Sequence, residues 1–216
     1  MRALVIIAFT LAGCGSYSTY RTTRIAKPGH TEWLFGAQAS GAIAQEEGDR
    51  PKIAPLPEFA VAARRAVHER VELQANATLF PIKQAPTGSL ELAGKVRIGS
   101  RGRWSLAAGA GVGYRVAESG GAVIEGAFVS APIIAGVELG RHQLVVSIAG
   151  GYQRLYSSGA RPVNVPFIGD SIGFLWQLGR NWALLPEAGM AWTSTRNFMS
   201  EDSRLFHFGV VALFTH

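Results

Sequence analysis

"VELQANATLF", Val71 to Phe80, alternates in character along nearly its whole length. Val71, Leu73, Ala75, Ala77 and Leu79 share one parity, and Glu72, Gln74, Asn76 and Thr78 share the other. A period of two describes a β-strand with one apolar and one polar face. The direction of those faces decides the fold. In a soluble protein the apolar face turns inward, whereas in a membrane barrel it turns outward to lipid.

The rest of the chain narrows the choice. Its 216 residues suit one domain with a sizeable core, or a small barrel. Apolar residues make up 48% and charged residues only 17%, with 26 glycines, a balance that suits strands better than helices. Beyond the N-terminal segment no apolar run reaches the roughly 18 residues of a spanning helix. The formal charge of +6 comes from arginines scattered singly, often beside glycine in short turns. No basic helix or aromatic binding motif accompanies them, so nucleic acid is not an expected partner.

The chain opens "MRALVIIAFTLAGC", with basic Arg2, an apolar run from Ala3 to Leu11, and small residues before Cys14. That is the layout of a secretory signal. Leu11-Ala12-Gly13-Cys14 resembles the lipobox of bacterial lipoproteins. The resemblance implies removal of residues 1–13 and lipidation of Cys14 on its thiol and amine; the alternative is an ordinary signal with an incidental cysteine. Gly15 and Ser16 follow, without the aspartate of the inner-membrane retention signal, so the resemblance implies export to the outer membrane. Cys14 is the only cysteine, which excludes an intrachain disulfide. Residues 14–30 are polar, basic and aperiodic, and read as a lipidated tether.

From residue 31 to 216 the pattern predicts an all-β, up-and-down antiparallel barrel of ten strands, with eight as the alternative count. The segments fall near 31–44, 58–67, 70–80, 88–98, 103–116, 126–139, 143–155, 167–178, 182–193 and 204–215. Tight connections, "VHER", "SRGR", "GRH" and "GRN", follow the even strands. Longer ones, including 46–57, 117–125, 156–166 and 194–203, follow the odd strands. Pro132 and Pro186 fall inside strands and are expected to mark bulges or register faults.

Aromatic residues end the apolar rows. Trp33, Trp104, Trp176, Trp182 and Phe214 lie toward the short turns, and Phe59, Tyr114, Tyr152, Trp192 and Phe206 toward the long loops. Two such rings fit the two interfaces of a bilayer. The opposite face carries Glu72, Gln74, Asn76, Glu91, Lys95, Arg97, Arg115, Glu138 and Glu187, which suits a polar lumen. Val71, Leu73 and Leu79 therefore face lipid. The last strand, with Phe206, Phe208, Val210, Ala212 and Phe214, resembles the C-terminal signature of bacterial outer-membrane barrels, although Thr215 and His216 follow. Residues 31–215 as a whole resemble the small members of that class. The resemblance implies that the short turns and both termini are periplasmic.

Chemistry is sparse. "GDSIG", residues 169–173, fits G-x-S-x-G, and Glu187 and His207 follow in hydrolase order. A nucleophile elbow needs a strand, a turn and a helix, and here everything is strand, so Ser171 reads as a lumen hydroxyl. "GAGVG", residues 109–113, imitates a phosphate loop, but glycines on one face of a strand more simply make room for bulky neighbours such as Phe128. The five histidines, His30, His68, His142, His207 and His216, show no metal-ligand spacing. No cofactor and no catalytic residue is expected.

Arg64, Glu72, Glu91, Lys95, Arg97, Arg115, Glu138 and Glu187 form the expected lumen charge network. Two readings remain for it: an ion-pair plug, or a narrow gated pore. The corresponding roles are a structural or interaction component of the cell envelope, or a channel; a lipid-modifying hydrolase is the third. Expected partners are outer-membrane lipid and an envelope protein met through the long loops or the tether.

Overall fold

The computed structural model describes residues 21–44, 52–53, 56–80, 87–119, 122–157, 161–193 and 203–215. Residues 1–20, with the expected signal and Cys14, lie outside the described residues.

The strands are β1 (Thr31–Ala44), β2 (Lys52–Ile53), β3 (Leu56–His68), β4 (Val71–Phe80), β5 (Thr87–Arg101) and β6 (Trp104–Ser119). They continue as β7 (Ala122–Leu139), β8 (His142–Ser157), β9 (Val163–Gln177), β10 (Trp182–Thr193) and β11 (Ser203–Thr215). Each long strand pairs antiparallel with its neighbours, and β11 returns to β1 with Trp33 opposite Phe214. The sheet closes. The two residues of β2 pair with β1 in the register that β3 continues, Ile43 opposite Ile53 and Ser40 opposite Leu56. The barrel therefore has the expected ten strands, one of them assigned in two pieces.

Two-residue turns join β3 to β4, β5 to β6 and β7 to β8. Gly102 (φ 59°) and Gly140 (φ 67°) occupy the left-handed first position of two of them, where a side chain would be strained. At the other end the strands outrun their expected limits. β6 continues to Ser119 and β7 begins at Ala122, inside what reads in sequence as a loop. The ladder persists there, with Glu118 opposite Val123, although the alternation of apolar residues has faded. At 18 residues β7 far exceeds the roughly 9–11 needed to span a bilayer.

Bulges occur between Ala66 and His68 and between Arg97 and Gly99, both at the short-turn end. The prolines do something different from what their position in strands suggests. Opposite Pro132 the β6–β7 pairing lapses between Ala108–Ile133 and Gly111–Ser130, then resumes in the same register. Pro186 leaves an equal gap between Leu184–Trp176 and Glu187–Gly173. Each proline costs rungs of one ladder without shifting the strands.

The facing is inside-out relative to a soluble barrel. Leu73 is 53% exposed on the outer surface, while its neighbour Glu72 is 1% exposed within. Leu79, Leu90, Leu92, Val112, Ile133 and Ile148 extend the exposed apolar band. Trp33, Trp104, Trp176 and Trp182 stand exposed at its short-turn edge, and Phe59, Tyr114, Tyr152 and Trp192 at the other. Such a surface is stable only against an apolar solvent bounded by two interfaces. Among the described residues no helix is long and apolar enough to cross a membrane.

The lumen is only partly polar. Leu34, Ala62, Leu175, Ala183, Leu185, Val211 and Leu213 form an apolar inner wall across β1, β3 and β9 to β11. Ala107, Ile134 and Val145 make a smaller cluster opposite. Glu72, Glu91, Lys95 and Arg115 lie on β4 to β6, between the two clusters.

Candidate functional site: a plugged lumen

Residues 21–26, read in sequence as part of a tether, run inside the barrel. Arg21, Thr22, Thr23 and Ala26 are buried. The chain passes from the short-turn rim, where β1 begins, toward the middle of the lumen, and the wall charges hold it there.

The grip centres on Glu72 and Lys95, which are opposite one another in the β4–β5 register. Lys95 Nζ lies 2.9 Å from Glu72 Oε1 and donates to the backbone carbonyls of Thr22 (2.9 Å) and Arg24 (2.7 Å). An ammonium has three protons, and all three are used. The second carboxylate oxygen of Glu72 accepts from the Ala26 backbone N–H at 2.9 Å. Arg24 forks onto Glu138 through Nε and Nη2 and also donates to the His142 carbonyl at 3.1 Å. Gln143 donates to Glu138 (2.7 Å) and to Thr23 (2.8 Å), whose hydroxyl also meets Ser105 at 2.5 Å. Arg21, the first described residue of the segment, pairs with Glu91 at 3.0 Å, and Ser130 donates to the same oxygen at 3.3 Å.

The inward glycines of β6 make this possible. A side chain on Gly111 would collide with the Glu91 carboxylate, and one on Gly113 with the Phe128 ring. Gly109 faces Pro132 and the Arg21 guanidinium. These are the glycines that imitate a phosphate loop in sequence, and here they give clearance.

The expected network thus divides. Glu72, Lys95, Glu91 and Glu138 bind the threaded segment. Arg64 pairs instead with Glu32. Arg115 sits away from the plug, 3.4 Å from Gln153 and 5.5 Å from the Phe128 ring centre. Glu187 meets His207 at 3.3 Å. Arg97 stands apart from the plug: opposite buried Ala107, it is the last residue in register before the bulge, half-buried at the short-turn rim, and it donates to the Glu69 carbonyl at 3.3 Å. Arg21, Thr23, Arg24, Glu32 and Gln143 were not foreseen as site residues.

Ser171, Glu187 and His207 do come close together. Ser171 and His207 both pair in register with Gly189, one strand to each side. However, the Ser171 hydroxyl is shared with Ser147 at 2.8 Å, and His207 Nε2 addresses Glu187. The surrounding backbone amides lie in strand ladders, where they are committed along the wall. Acyl transfer needs free donors aimed at a developing oxyanion. Among the described residues no group of three or more His, Cys, Asp or Glu could hold a metal ion.

The chain matches no family model and no curated protein sequence. It is similar in structure to an outer membrane channel from Pseudomonas putida F1, with a TM-score of 0.58 and 8% identity over 90% of this chain and 98% of that one. The translocator domain of the autotransporter NalP from Neisseria meningitidis gives 0.54 and 10% over 96% and 98%. The β-domain of the Bordetella autotransporter BrkA gives 0.53 and 10% over 87% and 99%. At these identities the likeness is one of fold: the closed antiparallel barrel of bacterial outer-membrane proteins.

Proposed function

We infer that the protein is a lipid-anchored barrel of the bacterial outer membrane that serves the envelope as a structural or interaction component. The observation that carries this reading is the Lys95 ammonium, saturated by Glu72 and two carbonyls of the threaded segment. A lumen closed in that way favours a scaffold over an open pore. The exposed apolar band with its aromatic edges supports placement in a membrane. The short turns then face the periplasm, and the strands extending beyond the bilayer on the other side offer a surface to partners. The Ser171 hydroxyl, engaged by Ser147, supports a non-catalytic role.

Anchoring rests on Leu11-Ala12-Gly13-Cys14. Labelled palmitate should enter the wild type and not Cys14→Ser, while both forms reach the outer membrane. Loss of membrane association in Cys14→Ser would mean that lipid, not a barrel, holds the protein there. Cross-linking in native membranes should capture an envelope protein through the long-loop side.

A gated channel is the second reading. What favours it is that residues 22–26 are held by side chains and are not a rung of the sheet. Steady conductance by the unmodified protein in planar bilayers would select it over the scaffold.

A further inference from the structure

The short-turn mouth of the barrel opens into a cavity of about 790 Å³ beside the threaded segment. Arg24, Lys27, Arg64, Arg141 and Arg180 line it, against one carboxylate, Glu32. Arg24 and Arg64 have carboxylate partners, but Lys27, Arg141 and Arg180 form no ion pair among the described residues. A mouth lined by five cations and one carboxylate attracts an anion.

Its position says which one. Leu175, Ala183 and Leu213 give the cavity an apolar side, on β9, β10 and β11. Trp176, Trp182 and Phe214 project from the outer face of those same three strands, and the Trp182 and Phe214 rings touch with centres 4.7 Å apart. Interfacial aromatics of this kind sit at the level of lipid headgroups. Only the short β9–β10 connection, carrying Arg180 and Asn181, separates that level from the cavity. Arginine pairs with phosphate through two parallel donors, which a point charge cannot do.

We propose that this vestibule binds the phosphate headgroup of an anionic phospholipid from the surrounding leaflet, reached over the β9–β10 rim. The proposal rests on the membrane reading above. Headgroup capture by Arg141 and Arg180 ties the open end of the lumen to the leaflet and covers the rim beside the plug.

The test uses the full chain in detergent, with bound lipid read by native mass spectrometry. Phosphatidylglycerol should be retained over phosphatidylethanolamine, and Arg141→Gln with Arg180→Gln should weaken retention on the order of tenfold. Arg101→Gln with Arg103→Gln, on the same rim outside the vestibule, should leave it unchanged. Equal loss in both pairs would replace the site with diffuse rim charge. Binding of inorganic phosphate, or of a carboxylate-rich muramyl peptide, as tight as that of the lipid would overturn the lipid assignment. Flotation of every variant with neutral phosphatidylcholine vesicles reports insertion separately, so failure of the membrane reading cannot pass for failure of the site.

Discussion

Lys95 and Glu72 meet inside the barrel at 2.9 Å, and each also holds the backbone of the same threaded segment. The pair therefore does two things at once: it neutralises two charges buried among wall residues, and it fixes residues 22–26 in the lumen.

Removing one member should release the segment. Glu72→Ala leaves the Lys95 ammonium with two carbonyls and no counter-charge, and breaking a buried pair costs about 3–5 kcal/mol. Lys95→Ala has the same consequence from the other side. Either substitution, and Glu138→Ala to a lesser degree because Glu138 is half-exposed, should raise ion conductance above a near-silent wild type. Planar-bilayer recording measures it.

Clearance at the β6 glycines should matter as much as charge. Gly111→Ala places a methyl group against the Glu91 carboxylate and should loosen its pair with Arg21, at about 1–3 kcal/mol for overpacking. Gly99→Ala, which meets nothing within 4 Å, is the matched control and should be near neutral. Heat-modifiability on gels, with and without each substitution, distinguishes them.

Facing can be tested on neighbouring residues. Leu73→Arg puts a charge on the lipid face at a cost of about 2–4 kcal/mol, while Gln74→Arg enters the polar lumen at less. Folding yield into vesicles should fall for the first and hold for the second. The reverse order would mean the strand is inside-out.

The strands and their facing were legible in the sequence because a period of two needs no tertiary knowledge. Val71 to Leu79 alternate, and Leu73 and Glu72 lie outside and inside as that alternation requires. Arg97 keeps the inward parity opposite buried Ala107 but sits at the rim, where the Glu69 carbonyl takes its guanidinium, and alternation says nothing of depth along the barrel. The apolar inner wall was hidden for another reason: around Leu175 and Leu185 both faces of the strand are apolar, so alternation is lost.

The plug was missed because its backbone makes no ladder and so has no period. A charge count held the missing signal. Among the described residues Glu32, Glu58, Glu72, Glu91, Glu138 and Glu187 point inward from the strands, against Arg64, Lys95, Arg97 and Arg115. A lumen with that excess of carboxylates needs cations from elsewhere, and "YRTTR" supplies Arg21 and Arg24.

The central claim is that the segment before β1 closes the lumen, and Thr23 and Ser105 allow a direct test. Their hydroxyl oxygens are 2.5 Å apart, close enough for a disulfide of about 2.05 Å if both become cysteine. In a Cys14→Ser background, Thr23→Cys with Ser105→Cys should cross-link on mild oxidation, and Lys95→Ala should be added to weaken the native hold. Bilayer recording of that variant should show no current while oxidised and a current once the disulfide is reduced. Current of the same size in both states, or no disulfide at all, would contradict the account.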